Sequence, residues 1–258
     1  MINLKGLLIA CLLLFSFPIL AELNNPALKY NITSSGNYYP YYTNNPVEPG
    51  VLPEIIEKIL SDADISASHV NLPTKRITKY LQDEVIDFDV ITLKWLPESE
   101  RNNPQYIFSE PLVNATEIVV SLSENINNWQ NANSLYNKNV GTVLGYYYHN
   151  DNLFNRIDFP SEKELMIALA RKRVDVAIIG KLPALHWSKQ LNVDIAFGQQ
   201  YSHGLLKIRL LSKHKALLPA INKAIKNLHS SGFIQQVADK YMANIPTQNQ
   251  GTNGTKLL

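Results

Sequence analysis

Arg101 is the residue whose surroundings most strongly indicate ligand binding. It ends the polar segment Glu98-Ser99-Glu100-Arg101, shortly after the apolar run 88–91. An arginine on a loop that leaves a buried strand can bind an anion, because a guanidinium forms two parallel, charge-assisted hydrogen bonds with a carboxylate. The structural alternative is a surface arginine paired with Glu98 or Glu100, since most arginines are exposed. We favour the ligand role.

Aromatic and basic residues supply further candidates. A tyrosine offers both a flat apolar face and a hydroxyl group, and the chain has 13 tyrosines. Each candidate has a structural alternative, namely packing of a loop, capping of the core or a place on a solvated rim. Of the consecutive tyrosines 146–148, we expect at least one to lie in the core. The candidates are Tyr39, Tyr42, Lys94, Trp95, Tyr146, Tyr147, Tyr148 and Lys181.

Motifs of common enzymes are missing from the sequence. The histidines do not have a metal-ligand spacing such as His-Glu-x-x-His, and no glycine loop for phosphate is present. A Gly-x-Ser-x-Gly nucleophile elbow is also missing. We therefore expect no metal, no cofactor and no catalytic residue.

Residues 1–21 predict a secretory signal peptide. Lys5 is followed by an apolar run that ends at Leu20, and Ala21 precedes Glu22, so we expect cleavage after Ala21. The run of about 14 residues is shorter than a membrane span. A lipoprotein signal ending at Cys11 is a weaker alternative, because it would leave a strongly apolar stretch at the mature N-terminus.

Composition limits the classes of partner. Cleavage of the signal removes Cys11, the single cysteine, so the mature chain would have no disulfide. The formal net charge is +2, and no basic tail or stripe suggests nucleic acid as a partner. We expect a periplasmic monomer that binds a small molecule.

Strand-like and helix-like segments alternate, which predicts an α/β fold with mostly parallel sheets. The length suits two lobes. We predict strands at 28–33, 67–72, 88–92, 139–144, 174–179, 193–197 and 205–212. We predict helices after Gly50 and at 74–82, 182–190, 216–229 and 232–242, and a further helix that runs to Ala170 with Ser161 as its N-cap. The polar tail 247–258 is predicted to be disordered.

A series of short motifs covers nearly all of the mature chain, from about residue 28 to 245. They are Tyr39-Pro40-Tyr41-Tyr42, Asp89-Val90-Ile91, Glu100-Arg101, Phe108-Ser109-Glu110-Pro111, Val140-Gly141 with Gly145, and Arg173-Val174-Asp175. In this order they resemble the extracellular solute-binding proteins of family 3, the ABC-transporter partners that include the polar amino-acid binders.

The resemblance implies a type II periplasmic-binding-protein fold, with two α/β lobes joined by a two-strand hinge. Lobe 1 would comprise 22–113 and 204–246, and lobe 2 would comprise 114–203. The hinge strands would lie near 114–120 and 204–211. Ligand would stabilise a closed form, and a membrane permease would recognise that form.

The resemblance also assigns roles within the site. Arg101 would bind a ligand carboxylate, and Tyr39 and Tyr42 would stack on the ligand. Gly180, followed by Lys181, stands where the amino-acid binders have an aspartate for the ligand ammonium. A buried ammonium without a carboxylate partner is unfavourable. We therefore expect an anionic or aromatic carboxylate ligand rather than a standard amino acid.

Two other functions stay open. Some proteins with this fold are periplasmic lyases, notably cyclohexadienyl dehydratases, and Glu98 would be the first candidate for the acid. A third possibility is a sensor, whose closure signals to a membrane protein instead of delivering a solute.

Overall fold

A computed structural model describes residues 27–243 and residue 245. The predicted signal peptide, its cleavage site and the predicted disordered tail 247–258 lie outside the described residues. Within 27–243, every helix is too short or too polar to span a membrane.

The described residues form nine strands and seven α-helices. The strands are β1 Leu28–Asn31, β2 Ala67–His69, β3 Phe88–Ile91, β4 Tyr106–Phe108, β5 Val113–Leu122, β6 Asn139–Val143, β7 Asn155–Phe159, β8 Val176–Gly180 and β9 Ile195–Leu211. The helices are α1 Val51–Asp62, α2 Thr74–Gln82, α3 Glu98–Arg101, α4 Glu162–Ala170, α5 Lys181–Leu191, α6 Leu218–Ser230 and α7 Phe233–Met242.

Local sequence explains the helices. Helix α1 buries the apolar face that its spacing predicts, including Leu52, Ile55 and Ile59. Helix α4 begins at the predicted N-cap, where the Ser161 hydroxyl accepts a hydrogen bond from the Glu164 backbone N–H at 3.4 Å. Gly50 precedes α1 with φ of 113°, and a Cβ there would lie 2.6 Å from the Tyr41 carbonyl oxygen. Only glycine fits that position.

The strands run in the order β2-β1-β3-β9-β5-β8-β6-β7, and β4 also pairs with β9. Strands β1, β2 and β3 are parallel in the first half of the sheet, and β6, β7 and β8 are parallel in the second half. Strands β5 and β9 connect the halves. The prediction of two separate strands at 193–197 and 205–212 is wrong. Both ranges lie largely within β9, which is continuous because it pairs with β5 from Val113 to Leu122.

The pairing of β5 with β9 is irregular at its centre. Asn114 opposes Leu205, and Leu122 opposes Ile195, but the register shifts on both sides of Ile118. Such bulges change the direction of nearby side chains and increase the local twist. At this bulge Glu117 lies opposite Ser202.

Each half of the sheet has its own apolar core. The first packs β1 and β3 against α1, α6 and α7. The second packs α4 and α5 against β8. Leu182 and Leu185 of α5 belong to the first core although α5 follows a strand of the second half. The two halves are therefore in direct apolar contact.

A buried ion pair connects β3 to β9. Asp89 and Arg209 are register partners, and Arg209 donates from Nε to Oδ1 at 2.9 Å and from Nη2 to Oδ2 at 2.6 Å. The Arg209 side chain is fully buried. Two parallel bonds of this kind satisfy both oxygens of the carboxylate.

We predict that Arg209→Met alone destabilises the protein by about 3–5 kcal/mol, because it leaves Asp89 buried without a partner. The double variant Asp89→Leu/Arg209→Met should be closer to wild type, since it removes both charges. Urea denaturation at pH 7 measures both. A single variant as stable as wild type would show that the pair is not needed.

Candidate ligand site between the two halves of the sheet

A cavity of about 260 Å³ lies where the two halves of the sheet meet. The first half contributes residues of α2, β3 and the segment that ends at α3, and the second half contributes β5 and the loop after β6. Representative lining residues are Ile77, Leu96, Glu117, Tyr146, Tyr147 and Arg209. The cavity is thus built by segments far apart in sequence.

Aromatic rings form much of its wall. Tyr38, Trp95, Tyr146 and Tyr147 line the cavity. The Tyr38 and Trp95 ring centroids are 6.1 Å apart, with the planes at 74°. These two rings therefore make a corner, which suits the flat or rounded apolar part of a small molecule.

Glu117 is a buried carboxyl in the wall. The Ser202 hydroxyl donates to its Oε2 at 2.6 Å, and the Trp95 indole N–H donates to the Ser202 oxygen at 3.1 Å. The pKa of Glu117 is raised to about 7, mainly because the carboxyl group is buried. Hydrogen bonds from Ser202 and Trp95 lower this pKa, and the charge of Glu162 raises it. Glu117 therefore titrates near neutral pH.

The charged groups of the wall are unbalanced. Asp89, Glu100, Glu117 and Arg209 line the cavity, and Arg209 is already bonded to Asp89. Arg209 Nη1 and Glu100 Oε2 are buried and make no hydrogen bond. Among the described lining residues, three carboxyl groups thus face one guanidinium.

Polar contacts join the two halves beside the cavity. On the first-half loop after β1, the Ser34 and Ser35 hydroxyl groups contact the Tyr146 hydroxyl and the Glu162 carboxylate. Tyr146 also donates to Glu162 Oε1 at 2.7 Å. The buried Glu162 has a pKa raised by that burial, and the bonds from Ser35 and Tyr146 oppose the rise.

Arg101 does not line this cavity. Its side chain is exposed, and its Nε donates to the Leu96 carbonyl oxygen at 2.8 Å. Consecutive helical residues point about 100° apart, so α3 places Glu100 at the cavity and Arg101 away from it. Lys94 is exposed. Burial lowers the pKa of His149, and the charges of Arg101 and Lys94 lower it further. The ligand roles of both residues stay predictions.

The tyrosines divide between site and core. Tyr39 stacks on His186 with ring centroids 3.7 Å apart, and Tyr42 is buried in the first core; neither lines the cavity, whereas Tyr38 does. Tyr148 is the one of the consecutive tyrosines that lies in a core, where its hydroxyl accepts the Val143 N–H at 2.9 Å.

Gly180 and Lys181 do not line the cavity either. Gly180 ends β8, and a Cβ there would lie 3.2 Å from the Tyr38 ring and 3.0 Å from Pro183. Lys181 Nζ lies 5.7 Å from the centroid of Phe197, and burial lowers its pKa. These positions are close to the wall of the cavity rather than part of it.

Sequence analysis missed Glu117. The available signal was an acidic residue inside the otherwise apolar run Glu117-Ile118-Val119-Val120. Lys, Glu and Asp are rarely buried without a partner, so such a residue in a central strand suggests a function. Within the described part of the chain, no cluster of His, Cys, Asp and Glu could hold a metal ion.

We predict that Glu117→Gln stabilises the ligand-free protein at pH 8 and has much less effect at pH 5. A pKa of about 7 in the folded state, against the ordinary glutamate value of 4.5, means that the folded state holds the proton more tightly. Wild-type stability must therefore fall as pH rises from 4.5 to 7. The full loss is on the order of 3 kcal/mol.

Urea denaturation of wild type and variant at the two pH values measures this effect. Glu110→Gln, at an exposed position, is the matched control and should show no pH-dependent difference from wild type. Equal effects of Glu117→Gln at pH 5 and pH 8 would contradict the raised pKa of Glu117.

Comparisons with solved structures show the same architecture in binding proteins. A mutant of ArgBP from T. maritima superposes with a TM-score of 0.71 and 16% identity, over 84% of this chain and 95% of the other. The GluR0 ligand-binding core from Nostoc punctiforme, in complex with L-glutamate, has a TM-score of 0.69 and 16% identity, over 84% and 99%.

A third similar structure is the amino acid ABC transporter substrate-binding protein AbpA from Streptococcus pneumoniae, bound to L-arginine. Its TM-score is 0.69 with 16% identity, over 86% of this chain and 97% of the other. No curated protein matches the sequence.

The family model for bacterial extracellular solute-binding proteins, family 3, matches residues 30–244. This range includes β5, β9 and the whole cavity wall. The chain belongs to the bacterial extracellular solute-binding proteins of family 3 and has the type II periplasmic-binding-protein fold.

Proposed function

We propose that this protein traps a small solute in the cavity between its halves and presents the closed complex to an ABC permease. The observation that carries the proposal is a cavity of about 260 Å³ whose wall includes residues of both halves. A ligand there touches both halves at once. It therefore stabilises the closed arrangement over an open one, in which half of those contacts are lost.

The connection between the halves supports closure by a hinge. Strands β5 and β9 are the two strands that cross from one half to the other. The contacts of Ser34 with Tyr146 and of Ser35 with Glu162 lie away from these strands in sequence and join the halves directly. They act as a latch that rotation about β5 and β9 would make or break.

The lining restricts the ligand. Its aromatic wall favours a solute with an apolar or aromatic part, and a few polar groups would fix the orientation, as is usual in small-molecule sites. Any carboxylate on the ligand would be bound by Arg209, whose Nη1 makes no hydrogen bond, rather than by Arg101. The neighbours in complex with arginine and glutamate suggest the first compounds to screen.

A thermal-shift screen of amino acids, amines, carboxylates and small peptides tests binding. A true ligand at 100 times its Kd should stabilise the protein by about 2.7 kcal/mol, which raises Tm by several degrees. Small-angle scattering should show a more compact particle with ligand than without it. If no compound raises Tm, the solute-binding proposal fails.

We predict that Trp95→Ala weakens binding of the best compound about tenfold, because loss of an aromatic contact amounts to roughly 1 kcal/mol or more. Arg101→Ala should change Kd less than about twofold, because its side chain lies outside the cavity. Calorimetry on both variants measures the difference. A large effect of Arg101→Ala would restore the carboxylate clamp that the sequence predicts.

A lyase on the same fold is the second candidate, and Glu117 is the observation that favours it. A buried carboxyl with a pKa of about 7 is suited to general acid–base catalysis. Glu98, the acid suspected from sequence, is exposed and lies outside the cavity. We propose binding without turnover; consumption of prephenate or arogenate, lost in Glu117→Gln, would establish the enzyme instead.

Transport and signalling predict different partners. A transport protein must raise the rate of solute uptake when it is added to vesicles that contain its permease. A sensor would bind the same solute without any effect on uptake. We propose transport from the periplasm, reached through the signal peptide predicted at residues 1–21.

A further inference from the structure

We propose that Glu117 and the aromatic corner of Tyr38 and Trp95 bind an organic ammonium group. The solute class is then small organic cations, namely amines or methylated ammonium compounds with an apolar part. This inference depends on the solute-binding function proposed above and names the ligand of the same cavity. It differs from the anionic ligand that the sequence predicts.

Glu117 has no positively charged partner among the described groups that act on it. The side chain is buried, and the groups that act on its charge are Ser202, Trp95 and Glu162. None of these is a cation, and Glu162 repels the ionised form. An ionised carboxyl in such a place is unfavourable until a positive charge joins it. A ligand ammonium supplies that charge.

Two aromatic rings form a corner beside the Glu117 carboxyl group. The hydrogen bond from Trp95 to Ser202, and from Ser202 to Glu117, fixes the indole next to the carboxyl group. The Tyr38 ring stands at 74° to the indole, so a cation at the corner can contact two aromatic systems. Tyrosine and tryptophan faces attract ammonium groups, most strongly where water is excluded.

The remaining charged groups of the cavity wall are acidic on balance. Arg209 is neutralised by its bonds to Asp89, and Glu100 adds a second carboxyl to the lining. The basic candidates from sequence are Lys94, Arg101 and Lys181, and none of them lines the cavity. The field in the cavity therefore favours a cation over an anion.

The test uses matched probes that differ in charge and little in shape. Choline is paired with the neutral 3,3-dimethylbutan-1-ol, and phenethylamine is paired with 2-phenylethanol; 3-phenylpropionate is the anion. At pH 8, at least one cation should bind the full mature protein ten or more times more tightly than its neutral partner. Calorimetry measures each Kd, and phenylpropionate should be the weakest aromatic probe.

Glu117→Gln should abolish the preference for the cation, whereas the exposed Glu110→Gln should keep it. Circular dichroism checks that both variants fold. Binding of the neutral or anionic probes as tightly as the cations, or a cation preference that survives in Glu117→Gln, would overturn the inference. If the broad screen yields ligands but neither cation binds, the inference fails while solute binding stands. If no compound binds at all, solute binding itself fails.

The pH dependence of choline binding is a second readout that needs no variant to fold. Choline does not titrate, so its affinity should rise about tenfold per unit as pH increases toward 7, and level off above pH 8. The ionisable groups that face Glu117 are Glu162, Tyr38, Tyr148 and Tyr201. The tyrosine pKa values are raised above 10, which leaves Glu162 as the competing group.

The variant Glu117→Gln retains Glu162 and therefore separates the contribution of Glu117 to the pH dependence from that of Glu162. Its choline affinity should be independent of pH between 5.5 and 8.5. A flat profile in wild type, or an unchanged slope in Glu117→Gln, would show that Glu117 does not bind the ammonium group.

Discussion

The pairing of β5 with β9 is the constraint on which the rest of the structure depends. These strands hydrogen-bond to each other from Val113 to Leu122 while β9 also holds β3 and β5 also holds β8. Each half of the sheet is thereby attached to the other by two strands. The cavity lies beside this pairing, so part of its wall is held in place by the backbone hydrogen bonds between the two strands. A bulge at the same place turns Glu117 toward Ser202.

Strand β9 contributes to two buried carboxyl sites that differ in charge balance. At one, Arg209 satisfies both oxygens of Asp89, and the result is a neutral unit that ties β3 to β9. At the other, the groups that hydrogen-bond to Glu117 are the neutral side chains of Ser202 and Trp95, and its charge is uncompensated. A paired charge in a core serves the fold, whereas an unpaired one reduces stability and is a candidate for function. The contrast makes Glu117, rather than the arginine, the candidate for ligand recognition.

Much of the fold could be predicted because local patterns determine it. Helix α2 matches its predicted bounds of 74–82, and the Ser161 cap fixes the start of α4. Strand β9 could not be read as one element, since its continuity comes from pairing with distant β5. In the site, the motifs direct attention to the segment 98–101, but the one-turn helix α3 places Glu100 and not Arg101 at the cavity. Tyr38 and Tyr39 are adjacent in one loop, but only the Tyr38 ring lines the cavity, because the backbone turn points the two side chains in different directions.

The position of the carboxyl group has a consequence for the order of binding. The resemblance to amino-acid binders implies an ammonium-binding carboxylate at the position that Gly180 occupies in this chain, at the end of β8. Glu117 instead lies on a strand that crosses between the halves, and its partner Ser202 lies on the other crossing strand. If the halves close by rotation about β5 and β9, as proposed, a charge on these strands is presented to solute before closure as well as after it. In the proposed mechanism, charge recognition therefore comes first, and the latch of the Ser34–Tyr146 and Ser35–Glu162 contacts closes afterwards.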